Sequence, residues 1–284
     1  MPRKFLFVTT FNQKGLHDYA QRFINSFSKQ VDKNIELWAY AERCNPIIPN
    51  KDTRIRVLDL ERESTKLVEF KKKWKNVPHA NGDISNFGKY AQRSDAKKGF
   101  KWNAVRFSHK VYSIFRAAEK TDADVLIWID ADTFVHNTWT YKQFSRLLPD
   151  DKWLTYVGRG KGSQTWPECG FYGMNLKHPM CKQFLAEFER FYEDANNGIF
   201  ELEEWHDSFV FGHIINQMLP IDDNVLDYSA DMYIKSAKTG GGGHPLINTE
   251  LGTWIDHMKG ARKDKGKSLD KDIIVKRKES YWNG

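Results

Sequence analysis

Val125-Leu126-Ile127-Trp128-Ile129-Asp130-Ala131-Asp132 is the stretch from which both the fold and the chemistry are read. Five branched and aromatic residues without a polar break are what a parallel strand buried on both faces requires. Side chains two apart on an extended chain project to the same side, so both carboxylates are expected to share one ligand. In open α/β sheets, ligands collect beyond the carboxyl ends of the strands, where this pair falls. Hard oxygen donors suit Mg²⁺ or Mn²⁺, ions that bridge protein carboxylates to nucleotide phosphates. A nucleotide-diphosphate site is the expectation. The plain alternative is that Asp130 and Asp132 end the strand as turn residues.

Working outward, Ala104, Phe107, Val111, Ile114, Phe115 and Ala118 recur at helical spacing over 103–120, with Arg106 and Lys110 together on another face. Ahead of this helix the chain reads as strand 4–10, a helix near 16–30 with Leu16, Tyr19, Phe23 and Phe27 toward the core, strand Ile35–Tyr40 and a strand near Arg54–Leu60. Strands separated by helical patterns indicate βαβ units and a mostly parallel sheet, hence a single Rossmann-like α/β domain. Between Glu61 and Lys101 the pattern weakens into an irregular excursion, either a lid or a plain loop.

Beyond the carboxylate pair come an extended segment at 153–157, a glycine-broken loop at 158–162, a strand at Gly170–Leu176, a helix at 179–195 opened by Pro179, and a helix near 205–217. Gly240 to Gly243 cannot hold a regular element, because each glycine forfeits backbone entropy on ordering.

The bulk numbers exclude several classes. With 284 residues, 40 % hydrophobic and 29 % charged, the composition is that of a globular protein, with no run long enough to span a bilayer. Lys4 to Val8 reads as the first strand and not a signal peptide. Three cysteines, Cys44, Cys169 and Cys181, have neither zinc-finger nor redox spacing, which fits a reducing cytoplasm. The net charge of +7 is concentrated at one end: Lys259 to Gly284 holds nine basic and four acidic residues, leaving +2 for the rest. Such a basic tail, here 264–284, can contact an anionic acceptor or a membrane surface, or simply be solvated.

A second cluster completes the chemistry. In His257-Met258-Lys259-Gly260-Ala261-Arg262-Lys263, a nitrogen ligand, a glycine that permits close backbone approach and a cation lie within seven residues. The imidazole can complete a divalent site, and the ammonium can offset charge on a leaving pyrophosphate.

Asp130-x-Asp132 after a buried strand, followed by His257-x-x-Gly260-x-x-Lys263, resembles the type A glycosyltransferases of the retaining glycogenin and lipopolysaccharide-galactosyltransferase kind. The resemblance runs from the first strand to Lys263, a glycosyltransferase domain of residues 1–263. It implies Mn²⁺ (or Mg²⁺) held by Asp130, Asp132 and His257 against the diphosphate of a UDP-sugar, UDP-glucose or UDP-galactose, with Gly260 and Lys263 on the phosphates. It further implies donor contact by Arg106, and base and ribose contact by Thr9, Thr10 and Asn12. The chain departs from the family where Glu168-Cys169-Gly170 replaces Asn-Ala/Ser-Gly and where Asp207-Ser208 stands nearest to Asp-Gln. No Pro-Trp follows Lys263.

The expected reaction is transfer of a hexose to an acceptor hydroxyl, with Asp207 near the anomeric carbon and Glu168, Glu203 and Glu204 as rivals. The acceptor can be a polysaccharide, a lipid-linked sugar, a protein or a modified base. Trp166, Trp205 and Trp254 can stack on sugar rings or serve as packing. A sugar-nucleotide nucleotidyltransferase would want a glycine-rich basic loop after strand one, where only Gly15 stands. A non-catalytic nucleic-acid binder would use the basic tail, and a nucleotide-sugar binding module would keep the site without turnover.

Overall fold

Alternation along the first strand creates two cores. In β1 (Phe5–Asn12), Leu6 and Val8 face one side of the sheet and Phe5, Phe7 and Phe11 the other, as the period of two demands. β2 (Glu36–Glu42) and β3 (Ile55–Asp59) extend the sheet in parallel on one side, and β4 (Val125–Ile129) pairs with β1 in parallel on the other. This architecture comes from a computed structural model that describes residues 2–95, 98–159, 166–232, 244–260 and 262–284. The remaining strands are β5 (Thr133–Val135), β6 (Leu154–Tyr156), β7 (Phe171–Asn175), β8 (Val225–Asp227) and β9 (Ile255–His257).

The seven-stranded sheet has the order β3-β2-β1-β4-β7-β6-β8, and only β7 runs against its neighbours. The expected mostly parallel α/β sheet is therefore present. One face is covered by the helices Thr65–Trp74, Ala104–Lys120, Pro179–Glu193 and Asp207–Met218, whose Leu67, Val111, Phe184 and Phe211 pack with Leu6, Val8 and Trp128. Helices Gln21–Gln30 and Tyr141–Leu147 cover the other face, together with Leu246, Leu251 and Trp254 from the last quarter of the chain. Phe7, fully buried, meets Phe27 edge-on at 5.6 Å and Phe144 at 5.4 Å; burial of one such ring contributes about 1.5–3 kcal/mol.

Three expectations change. The stretch 61–101 is not irregular throughout, because Thr65–Trp74 is helical and buries Leu67, Phe70 and Trp74. Its lysines sit on the solvent face and dilute the apolar signal. The helix after β1 does not start cleanly: Gln13–Gly15 leads into a wide π-type turn at Leu16–Ala20 before the regular helix. Residues 264–284, expected as a basic tail, are packed on the body. Trp282 is 7 % exposed and donates Nε1–H to the Gly252 carbonyl at 2.8 Å, and Tyr281 donates its hydroxyl to buried Asp256 at 2.8 Å. Two aromatic anchors and an inward carboxylate decide this placement, and a charge count does not register them. Among the described residues, no helix is long and apolar enough to cross a membrane.

Candidate metal and diphosphate site

The carboxylate pair is built by a turn. The Asp130 N–H continues the ladder by donating to the Gly170 carbonyl at 2.9 Å, and Thr133 N–H then donates back to Asp130 O at 3.1 Å. Asp130 and Asp132 thus converge through a tight reversal and not along an extended strand, which corrects the geometry inferred from sequence. The turn reading and the ligand reading describe the same four residues. Trp128 fixes the first carboxylate by donating Nε1–H to Asp130 Oδ1 at 2.8 Å.

The third ligand candidate arrives on a two-stranded ribbon. β9 pairs antiparallel with β5, placing His257 opposite Thr133, and Met258 N–H donates to the Asp132 carbonyl at 2.8 Å. His257 Nε2 lies 3.0 Å from Asp132 Oδ1 and 3.4 Å from Asp130 Oδ2. Donors at right angles, each about 2.1 Å from a Mg²⁺-sized ion, stand about 3.0 Å apart, so the spacing and the O, O, N donor set suit a small divalent cation. Behind the imidazole, Gly170 packs so closely that an added Cβ would stand 2.5 Å from Cε1 and Nδ1.

Positive charge holds the pair together. Burial pulls His257 down, but Asp132 and Asp130 outweigh it and raise it to about 10. Burial pushes Asp132 up, and His257 with Lys263 holds it well below the usual carboxylate range. For Asp130, burial likewise works upward and is overcome by Lys110 and His257. Lys263 Nζ reaches Asp132 Oδ2 at 2.9 Å and lies 4.4 Å from the centre of the Tyr19 ring. Burial, with the charges of Asp132 and Asp130, pushes the Tyr19 phenol up to about 12. Gly260, in the loop between His257 and Lys263, has φ of 64°, a left-handed conformation open to glycine without strain.

Lys110 is the residue that the sequence reading did not select. Its ammonium is 2.9 Å from Asp130 Oδ1 and 2.7 Å from Asp207 Oδ2, and it donates to the Cys169 carbonyl at 2.6 Å. Burial pulls Lys110 down, yet Asp130 and Asp207 raise it well above the ordinary lysine value. Asp207, at the first turn of its helix, is thereby tied to the carboxylate pair through one buried cation. Read from sequence with Arg106 on a separate face, Lys110 is instead buried, because it borders the apolar stripe three residues after Phe107 and four before Ile114.

The expected nucleotide contacts divide. Arg106 is exposed at the start of the Ala104–Lys120 helix, where Asn103 caps its N–H at 2.9 Å. Asn12 is exposed and its side chain accepts from Gly15 N–H at 2.8 Å, so it caps the turn after β1. Thr10 donates its hydroxyl to the Tyr40 carbonyl at 2.8 Å. Thr9 is fully buried, its hydroxyl has no partner among the described residues, and the structure does not bring it to the site surface. Of the tryptophans, Trp205 and Trp254 are core residues, and Trp166 is half-buried against His206 at 4.4 Å. Gly240–Gly243 and residues 160–162 of the other glycine loop lie outside the described residues.

Beside the site lies a cavity of about 1160 Å³ lined by Trp166, Phe100, Phe209, Tyr156, Lys101, Arg159, Glu203, Glu204 and Asp227. Lys101 is paired with Glu204 at 2.6 Å and with Asp95 at 2.8 Å, and Arg159 with Glu168 at 2.8 Å. Arg159 and Glu168 connect the cavity to the back of His257.

No family model and no curated protein matches the sequence. Among solved structures, the chain is similar to the WbbM bifunctional glycosyltransferase in its apo form, at 13 % identity over 80 % of this chain and 39 % of that chain, with a TM-score of 0.42. It is similar to the glycosyltransferase GlyE of Streptococcus pneumoniae TIGR4, at 9 % identity over 79 % of this chain and 45 % of that one, TM-score 0.42. Mouse xyloside xylosyltransferase 1 in its apo form aligns at 12 % identity over 80 % of this chain and 85 % of its own, TM-score 0.45. The chain thus spans less than half the length of the first two. With TM-scores of 0.42 to 0.45, these likenesses are too distant to transfer a residue role.

Proposed function

We propose that this chain is a metal-dependent glycosyltransferase that moves a hexose from a nucleotide diphosphate sugar, UDP-glucose or UDP-galactose, to an acceptor hydroxyl with retention of configuration. The observation that carries the reading is the convergence of Asp130, Asp132 and His257, with Lys263 2.9 Å from Asp132. Two oxygen donors and a nitrogen are the donor set for Mn²⁺ or Mg²⁺, which supplies Lewis-acid charge at the leaving diphosphate when bound.

The chain's own residues do the rest. Lys263 brings fixed positive charge to the place where the leaving group gains negative charge, and Gly260 lets backbone N–H groups approach the phosphates. Lys110 holds the Asp207 carboxylate beside Asp130, giving an anionic group near the sugar end of the donor. Arg106 and Asn12 are both exposed, which supports reading them as contacts to the nucleoside. The cavity beyond Glu168 combines aromatic faces with carboxylates, surfaces that suit the apolar and hydroxyl faces of a saccharide acceptor. Nucleotidyl transfer fits less well, because the chain turns helical from Gln13 and leaves no open phosphate loop after β1.

The test is donor hydrolysis by the purified protein with Mn²⁺ and a panel of nucleotide sugars. Nucleotide release from one donor, lost in Asp132→Ala and in His257→Ala, is the expected result. Equal release by parent and variants, or none from any donor, would sink the reading. The anomeric configuration of the product then decides retention against inversion.

A further inference from the structure

His257 has two nitrogens, and only one is accounted for. Nε2 faces Asp130 and Asp132, whereas Nδ1 is buried with no hydrogen-bond partner among the described residues. A histidine that ligates through Nε2 carries its proton on Nδ1, and that N–H needs an acceptor. The carboxylate facing it is Glu168, whose Oε1 is 3.8 Å away.

Glu168 is built for a fixed position. It is 3 % exposed, its backbone N–H is tied to the Val157 carbonyl at 2.8 Å, and its carboxylate is gripped by Arg159 at 2.8 Å and by Lys259 at 3.2 Å on both oxygens. Burial alone would push its carboxyl up, yet Lys259 and Arg159 hold it well below the usual range. Gly170 packs close against the Cε1 and Nδ1 atoms of the imidazole, so His257 can tilt little. His244 also approaches, at 4.9 Å between ring centres, with neither nitrogen partnered among the described residues. Glu168, His244 and His257 could in principle form a second cation site. Two cations already neutralise Glu168, however, and a second ion would have to displace one of them or share His257 with the first.

We infer that Glu168 is the positioning residue for His257, accepting its Nδ1–H so that the Nε2 lone pair is directed at the ion held with Asp130 and Asp132. This rests on the metal-site reading above. The contact closes by less than an ångström to reach hydrogen-bond length.

The experiment is Mn²⁺ binding to the full chain without nucleotide, followed by electron paramagnetic resonance of the free ion, for the parent, Glu168→Gln, Lys259→Met and Asp132→Ala. Glu168→Gln is expected to bind Mn²⁺ about 10–100-fold more weakly, the usual cost of losing such a partner. Lys259→Met keeps the Glu168–His257 contact and is expected to lose less. In the Mg²⁺-loaded protein, the ¹⁵N signal of His257 Nδ1 is expected to shift in Glu168→Gln. If Glu168→Gln does not fold, Glu168→Asp retains the charge and withdraws the carboxylate from His257, and weaker Mn²⁺ binding is again expected. Parent-like Mn²⁺ binding by Glu168→Gln overturns the inference, as does an equal loss in Lys259→Met with an unmoved His257 signal. No Mn²⁺ binding by the parent defeats the metal site itself and this inference with it. Mn²⁺ binding without turnover of any donor defeats sugar transfer and leaves Glu168 in its role.

Discussion

The Lys110 ammonium lies 2.7 Å from the Asp207 carboxylate in the interior, and the same nitrogen is 2.9 Å from Asp130. Removing one member of a buried pair leaves its partner desolvated and unmatched, at about 3–5 kcal/mol. Lys110→Met is therefore expected to lose that much stability in urea unfolding. Adding Asp207→Asn is expected to recover part of it, because the stranded charge is gone. A Lys110→Met loss below about 1 kcal/mol would mean that the pair is solvated.

Gly170 tests the seat of the imidazole. A Cβ there would stand 2.5 Å from the His257 ring, and Gly170→Ala must move either the ring or the strand. Overpacking of this kind costs about 1–3 kcal/mol. Chemical denaturation should register that loss, and Mn²⁺ titration should weaken with it. A stability loss with unchanged Mn²⁺ affinity would show that the strand gives way and the ring keeps its place.

Much of this arrangement is written locally, and some of it is not. The strand Val125–Ile129, the helix Ala104–Lys120 and the helix Pro179–Glu193 follow from periodicity, since each buries one stripe or two faces. Asp130 and Asp132 were legible because an apolar run stops at them, although their turn was not, since it depends on the Gly170 carbonyl across the sheet. The antiparallel direction of β7 leaves no mark in five residues, because a buried strand looks the same either way. Lys110 and Glu168 were missed as partners for a related reason: a buried ion pair is a relation between distant segments, and each member alone reads as a surface charge. The Thr65–Trp74 helix was hidden by its own lysines.

Acid should reveal the Asp52–Arg54 pair. Burial works to raise Asp52, but hydrogen bonds from Arg54 and Ser28 lower it to about 2, with Arg54 Nη2 2.6 Å away. A carboxyl lowered on folding contributes stability above its unfolded pKa, near 4, and that contribution is lost as pH falls toward 2. Its size is about 2 kcal/mol at neutral pH. Asp52→Asn is expected to be less stable than the parent at pH 7, with the difference shrinking between about pH 5 and pH 2. A difference that stays constant across that range would rule out the linkage.

The C-terminal segment should behave as core. Trp282 is 7 % exposed, and Trp282→Ala is expected to cost about 3–5 kcal/mol in chemical denaturation, as other large-to-small changes in packed interiors do. A change within about 0.5 kcal/mol would identify a solvated tail instead.

The pairing of β5 with β9, three residues each, joins Asp132 to His257 across 125 positions of chain. Closing so large a loop is paid in entropy before any contact returns it, and distant pairings of this kind slow folding. The sheet through β4 can be complete while the imidazole and Lys263 are still unattached. The proposed metal site is therefore expected to close only at the end of assembly. In refolding, Mn²⁺ binding is expected to return with the slowest phase, and its return in an earlier phase would separate the site from that closure.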